Sequence, residues 1–182
     1  MLISDEYQAE QQRLHDDRPD YGVQSVKYAP MVSDICNKAN ITDLLDYGCG
    51  KGRLFKNLKV DHRMKLQAYD PGVERFSGSP MPSEMVACID VLEHIEPDYL
   101  DNVLDDLQRL TVTIGFFTVH TGPAAKVLSD GRNAHLTQEG PEWWLPKFFQ
   151  RWDVDSFKMM SPVEFFVICF ARKPEATNGL AA

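Results

Sequence analysis

The sequence lacks most of the signals that mark an exported, membrane-bound or disulfide-stabilised protein. Its four cysteines include no Cys-x-x-Cys pair, which argues against a zinc knuckle or a redox motif. The uncharged apolar runs reach only about ten residues, too short to cross a bilayer. The first residues have neither the basic nor the hydrophobic region of a signal peptide. We therefore expect a cytoplasmic protein with reduced thiols and no membrane association.

Positive charge is scarce as well. Lysine and arginine number 19 against 27 acidic residues, and the net charge of -8 creates a field that repels polyanions and anionic lipids. Duplex nucleic acid is therefore not an expected partner. A small molecule or a nucleotide is the expected substrate, because a few well-placed cations suffice to bind one. The oligomeric state is not indicated.

What the sequence does contain is the composition of one ordinary globular domain. Of the 182 residues, 43% are hydrophobic and 25% are charged, and a chain of this length can bury a single core. Residues 1–30 are polar with scattered aromatics and predict an N-terminal arm or lid. Residues 31–172 carry the hydrophobic pattern of the folded domain, and residues 173–182 predict a disordered tail.

Strand patterns alternate with helix patterns along the domain. The predicted elements are a helix over 31–40, strands over 41–48, 65–71 and 84–92, a helix over 97–111, a strand over 113–121, a helix over 141–152 broken by Pro146, and a hairpin over 154–160 and 163–172. This order predicts an α/β fold, a Rossmann-like three-layer sandwich with a mostly parallel sheet and an antiparallel C-terminal hairpin. Ligands of such sheets bind beyond the carboxyl ends of the strands.

The first of these strand ends carries a glycine-rich turn. In "LLDYGCGKGRL", Gly48, Gly50 and Gly52 precede a helix, where backbone N–H groups can face an anionic group. A dinucleotide fingerprint would need glycine at Arg53, so a nicotinamide oxidoreductase is disfavoured, and no Walker sequence follows. Asp70 closes the second strand, where its carboxylate can accept hydrogen bonds from both ribose hydroxyls of an adenosine.

The segments "LLDYGCGKGRL", "AYDP" and "CIDVLEHI" together resemble, in order and spacing, the class I S-adenosylmethionine-dependent methyltransferases. The C-terminal third also looks like small stand-alone members, including some encoded by phages. The resemblance implies that S-adenosylmethionine is the cofactor, that S-adenosylhomocysteine is the product, and that residues 31–172 are the methyltransferase domain. The cofactor contacts that it implies are Asp46, Gly48, Cys49, Gly50, Asp70, Pro71, Ile89 and Asp90.

One segment departs from the family pattern. Only fourteen residues separate Asp70 from Met85, where the family fits a whole helix and strand. We therefore expect a sheet that is shortened at one edge. The departure also leaves open which residue hydrogen-bonds the adenine amino group.

Histidines are the candidate bases, because methylation of a hydroxyl requires an aligned acceptor and the removal of its proton. In the motif "DVLEH", Glu93 and His94 are adjacent, and Asp90 lies one helical turn before Glu93, so all three could face one point. A later histidine, His135, could join them. Ubiquinone-biosynthesis and small-RNA O-methyltransferases resemble the chain here, which implies that the four residues could form a divalent-metal site, although a site without metal is the favoured interpretation. Without a metal, His135 or His94 would act as the base, or Glu93 and His94 would cap a helix.

Several residues are candidates for binding the methyl acceptor. Arg132 and Asn133 stand beside His135 in the polar loop "DGRNAH", and Trp143 could stack on a flat substrate. Tyr21, in the arm, could close over the pocket.

The absence of certain motifs narrows the range of possible methyl acceptors. It has no Asp/Asn-Pro-Pro-Tyr/Phe element and no Pro-Cys pair, so methylation of DNA bases is not indicated. The sequence predicts methyl transfer to a small molecule or to a modified nucleotide or sugar, at oxygen rather than at nitrogen or carbon. A cofactor-binding regulatory subunit without transfer activity is the competing hypothesis from another functional class.

Overall fold

A computed structural model describes residues 1–17 and 23–172 of the chain. The helices are α1 (Asp5–Asp17), α2 (Ser25–Ala39), α3 (Arg53–Asn57), α4 (Pro97–Leu110) and α5 (Pro141–Arg151). The strands are β1 (Asp43–Tyr47), β2 (Lys65–Tyr69), β3 (Ser83–Cys88), β4 (Thr111–His120), β5 (Trp152–Ser161) and β6 (Glu164–Ala171). Short 3-10 turns lie at Glu74–Phe76 and Leu92–His94.

The six strands form one sheet in the order β2-β1-β3-β4-β6-β5. The β2-β1-β3-β4 part is parallel, whereas β6 runs antiparallel to both β4 and β5. The structure therefore confirms the mostly parallel sheet and the C-terminal hairpin.

Each face of the sheet carries its own hydrophobic layer. Neighbouring residues of β1 point to opposite faces, so Leu45 packs with α4 and α5, whereas Leu44 packs with α2 and α3. Leu104 and Phe148 are fully buried on the first face, and Val32 is fully buried on the second. These two layers enclose the sheet and confirm the predicted three-layer sandwich.

Strand β2 forms one edge of the sheet, and no further strand lies beyond it in the part of the chain that the structure describes. The segment between β2 and β3 holds only the 3-10 turn Glu74–Phe76. The Gln67 side chain then donates a hydrogen bond of 2.7 Å to Ser83 Oγ at the start of β3. The prediction of a sheet shortened at one edge is confirmed.

Two helices differ from the sequence prediction. Helix α5 runs unbroken through Pro146, so the predicted break is wrong: a proline removes one backbone hydrogen bond, but the buried side chains of Trp144 and Phe148 hold the turns on either side of it in the core. Helix α2 begins at Ser25, so the predicted boundary between the arm and the domain, at residue 30, falls inside a helix.

The N-terminal helix α1 packs on the loop between β4 and α5. Tyr7 lies in a small hydrophobic cluster with Leu128 and Ala134 of that loop, and Leu14 packs against the same cluster. The predicted lid residue Tyr21 and the predicted tail, 173–182, lie outside the described residues. Within residues 1–17 and 23–172, no helix has the length and apolar character needed to cross a bilayer.

Candidate cofactor and acceptor site

The turn between β1 and α3 requires glycine. Gly48, Gly50 and Gly52 have φ angles of 74°, 50° and 66°, in the left-handed region that favours glycine. A Cβ atom on Gly48 would also clash with the side chain of Val91. The Gly48 N–H donates a hydrogen bond of 2.7 Å to the carbonyl of Tyr69, which fastens the turn to the end of β2.

Asp70 joins the glycine turn to the turn that follows β2. Its Oδ2 accepts the backbone N–H of Gly50 at 2.8 Å, and its Oδ1 accepts that of Gly72 at 2.9 Å. The residue is only 8% exposed. A carboxylate oxygen has two acceptor sites, so the hydrogen bonds to these turns do not by themselves exhaust the acceptor capacity of the side chain.

Asp46 lies two residues before Gly48 and is only 2% exposed. Burial, and then the neighbouring charge of Asp70, raise the pKa of Asp46 to about 8. Its Oδ2 is buried without a hydrogen-bond partner among the described residues. Because buried polar atoms are almost always paired, this oxygen is suited to accept a donor or a cation beside the glycine turn.

A single cavity gathers most of the predicted cofactor contacts. Those that line it are Gly48, Cys49, Gly50, Asp70, Pro71, Ile89 and Asp90. Asp46 does not line the cavity. Val91 and Ile95, which follow β3, add apolar side chains to its wall.

The N-terminal segment, predicted as an arm or lid, contributes a wall of the cavity through residues that the sequence patterns did not single out. Leu2, Ile3, Tyr7 and Gln11 all line it. The available signal was the spacing of Ile3, Tyr7, Gln11 and Leu14, which places them on one face of a helix. Tyr28, which also belongs to the predicted arm, is instead buried against β4 and β6 and donates a hydrogen bond of 2.7 Å to Glu164.

Three polar side chains converge at one place, and two of them, Asp90 and His94, line the cavity. One ligand atom from each of Asp90, His94 and His135 lies within 4.8 Å of the others. Asp90 has a left-handed φ of 60°, a conformation that is rare for a non-glycine residue and often found at functional sites. Its N–H donates a hydrogen bond of 3.0 Å to Thr118 Oγ1, which holds this turn against β4.

The two histidines of this cluster have fixed orientations. His94 Nδ1 lies 2.8 Å from the carbonyl oxygen of Ala134, and His135 Nδ1 lies 2.7 Å from that of Gly122. A carbonyl can only accept, so we assign the proton of each ring to Nδ1. Both Nε2 atoms are then available to accept a proton or to bind a metal. His94 lines the cavity. The His135 ring packs edge-on against the His94 ring, with 4.6 Å between the ring centroids.

The environment keeps both imidazoles neutral. Burial, and then repulsion by His135, lower the pKa of His94 to about 3. Burial also lowers the pKa of His135. Burial raises the pKa of Asp90 to about 6 against the opposing effect of His120. At neutral pH both imidazole rings of the cluster are therefore unprotonated, and the Asp90 carboxyl group titrates close to neutral pH.

Glu93 does not join this cluster. Its Oε1 accepts the backbone N–H of His120 at 2.7 Å, and its side chain is fully buried. Burial and the charge of Asp90 raise its pKa well above the ordinary value. The prediction grouped Asp90, Glu93 and His94 on one helical face, but the segment is a 3-10 turn, in which Glu93 points into the core.

Three of the predicted acceptor-binding residues, Arg132, Asn133 and Trp143, do not line the cavity. Arg132 pairs with Asp130 at 2.6 Å on the surface. Asn133 Oδ1 accepts the N–H groups of Ala124 and His135, both at 2.9 Å, so its side chain organises the histidine loop. Trp143, on α5, is 37% exposed and packs against Trp144 and Lys147.

No protein-family profile and no curated protein sequence matches this chain. Solved structures do share its fold. A 1,6-didemethyltoxoflavin-N1-methyltransferase of Burkholderia thailandensis, with 1,6-didemethyltoxoflavin and S-adenosylhomocysteine bound, aligns with a TM-score of 0.63 at 14% identity over 92% of this chain and 90% of that chain. A magnesium protoporphyrin IX methyltransferase of Synechocystis PCC 6803, with S-adenosylhomocysteine bound, gives 0.58 at 12% over 82% and 84%.

A small RNA methyltransferase gives a TM-score of 0.62 at 13% identity, over 82% of this chain and 25% of that chain. The chain therefore has the fold of the class I S-adenosylmethionine-dependent methyltransferases, as the resemblance in the sequence predicted.

Proposed function

We propose that this protein is an S-adenosylmethionine-dependent methyltransferase that acts on an oxygen of a small molecule or of a modified nucleotide or sugar. The observation that carries the proposal is one cavity that Gly48, Asp70, Asp90 and His94 line together. Binding residues for a nucleoside and candidate groups for proton removal thus share one space.

The residues around the glycine turn fit the cofactor. When bound, S-adenosylmethionine supplies a methyl group on a positively charged sulfur. Asp70 would accept the ribose hydroxyls, and the close approach that Gly48 permits would accommodate the amino-acid portion. The Asp46 oxygen that has no partner among the described residues could accept a hydrogen bond from the amino group of the cofactor.

His135 or His94 is the proposed base. Each ring donates through Nδ1 to a backbone carbonyl, which leaves the unprotonated Nε2 available to accept a proton. A hydroxyl acceptor needs a group that takes up its proton, and either imidazole is unprotonated at neutral pH and could do so. Asp90, beside both rings, would stabilise the imidazolium that forms.

Two measurements test this proposal. Calorimetric titration with S-adenosylhomocysteine tests the cofactor site, and methyl-labelled S-adenosylmethionine with a panel of hydroxyl-bearing metabolites tests the transfer. We expect binding and transfer of the label to at least one acceptor. Absence of binding would contradict the proposal. Binding without transfer to any acceptor would favour a regulatory subunit that only holds the cofactor.

A metal-assisted O-methyltransferase is the second candidate function, because Asp90, His94 and His135 offer one carboxylate oxygen and two imidazole nitrogens at short mutual distances. This donor set suits a divalent transition metal. Glu93, expected from the sequence as a fourth ligand, is not part of this group of donors, and its Oε1 accepts the backbone N–H of His120. The two candidates exclude each other, since both use the same Nε2 atoms. Loss of turnover on chelation and its recovery with Mn²⁺ would favour the metal, and unchanged turnover would favour the base.

A further inference from the structure

Helix α1 crosses the turn that follows β2. Gln8 Nε2 donates a hydrogen bond of 2.9 Å to the carbonyl oxygen of Pro71. A Cβ atom added to Gly72 would lie 2.8 Å from Gln11 Cβ, so the backbone of the turn touches the helix directly. This contact lies at the edge of the sheet where no strand follows β2 in the described part of the chain.

The start of the helix is held by a second anchor. Ser4 donates to the Glu96 carboxylate through its N–H at 2.9 Å and through its hydroxyl at 2.8 Å. Glu96 immediately precedes α4, so α1 is fastened both there and at Pro71. Residues of its inner face, including Gln11, are thereby placed at fixed positions over the cavity.

The part of the cavity between these anchors is largely apolar. Pro71, Val91 and Ile95 line it, and Leu2 and Ile3 cover it from the N-terminal segment. Asp70 is committed to the backbone N–H groups of the two turns and to the ribose that it is proposed to bind. Gln11 lines the cavity beside the Asp70–Gly72 turn, and the Nε2 atom of its carboxamide is buried.

We infer that Gln11 reads the hydrogen-bonding edge of the adenine base and so replaces the recognition residue that the shortened edge of the sheet lacks. A carboxamide carries one acceptor oxygen and one donor nitrogen side by side. Adenine carries the complementary pair, the donor 6-amino group next to a ring-nitrogen acceptor, and glutamine pairs with adenine in this way elsewhere. The inference rests on the proposed function, because it assumes that an adenosyl cofactor occupies the cavity.

The ligand tests the inference without any change to the protein. Calorimetry on the full chain compares S-adenosylhomocysteine with its analogue that carries hydrogen in place of the 6-amino group. We expect the analogue to bind about tenfold more weakly, the cost of about one hydrogen bond in a site built for it. Equal affinity of the two ligands would overturn the inference.

A variant then assigns the effect to Gln11. Q11L should bind S-adenosylhomocysteine about tenfold more weakly and should no longer distinguish it from the analogue, because the two changes remove the same hydrogen bond. The matched control is Q12L, on the exposed face of the same helix, which should discriminate as the unmodified chain does. Q11L that still discriminates would overturn the inference. Failure of the unmodified chain to bind S-adenosylhomocysteine would instead overturn the proposed function on which the inference rests.

Discussion

The Asp70 carboxylate accepts a hydrogen bond of 2.8 Å from the backbone N–H of Gly50, twenty positions earlier in the chain. Its other oxygen accepts the N–H of Gly72. One side chain thus couples the turn after β1 to the turn after β2, and both turns line the cavity. Cofactor binding and local stability should therefore depend on the same carboxylate.

Asp70→Ala should lose both properties. The two backbone N–H groups would lose a charged acceptor, and we expect the free energy of unfolding to fall by about 2–4 kcal/mol. Affinity for S-adenosylhomocysteine should fall by about tenfold or more. Urea unfolding and calorimetry measure the two effects. Asp61→Ala, at an exposed acid, is the control, and undiminished binding by Asp70→Ala would contradict the assignment of the ribose site.

Gly48→Ala should distort the glycine turn, because the added methyl group would clash with Val91 and would hold alanine at a φ of 74°. We expect a loss of about 1–3 kcal/mol in the free energy of unfolding. Gly78→Ala is the matched control, since a Cβ there has no neighbour within 4 Å. Equal melting temperatures of the two variants would show that the turn tolerates a side chain.

His135→Ala should separate catalysis from cofactor binding. The ring lies beside the cavity rather than in its wall, so the affinity for S-adenosylhomocysteine should stay close to that of the unmodified chain. Turnover of the acceptor found by the screen should fall by about 10²-fold or more if the ring removes the proton. Steady-state kinetics measure this, with His62→Ala, at the opposite end of β1, as the control. Unchanged turnover would remove His135 from the mechanism.

Asp46 should make stability depend on pH. Its pKa is raised to about 8 in the folded chain, so the folded state binds the proton more tightly than the unfolded state does. The resulting stabilisation is complete below the unfolded pKa of about 4 and is lost as the pH rises towards 8. Relative to Asp46→Asn, the unmodified chain should lose up to about 1.4 kcal/mol per pH unit in this range. Urea unfolding at pH 5, 7 and 9 measures the difference, and a difference independent of pH would contradict the buried titration.

Removal of residues 1–17 should weaken cofactor binding, because Leu2, Ile3, Tyr7 and Gln11 would no longer cover the cavity. Helix α2, which begins at Ser25, would stay intact. We expect the affinity for S-adenosylhomocysteine to fall about tenfold or more. Calorimetry measures it, with the far-UV spectrum as the check on folding. Unchanged affinity would show that the N-terminal segment is not a lid.

Local patterns predicted the succession of strands along the chain and most of the helices, because an apolar run or a helical repeat is a property of neighbouring residues. Patterns failed where distant packing decided the outcome. Pro146 stays inside α5 because the flanking aromatic residues are buried against the sheet. The start of α2 lies before residue 31 because Tyr28 and Ala29 are held in the core.

The sequence by itself determined the part of the cavity that is proposed to hold the cofactor. Gly48, Gly50 and Asp70 each follow a parallel strand, and parallel strands bring their carboxyl ends to one edge of the sheet, so chain position was enough to place them together. Only the tertiary structure decided the part that is proposed to face the acceptor. His94 meets His135, Glu93 turns into the core and α1 closes the wall, because each of these depends on contacts between segments far apart in the chain, which leave no periodic trace in the sequence.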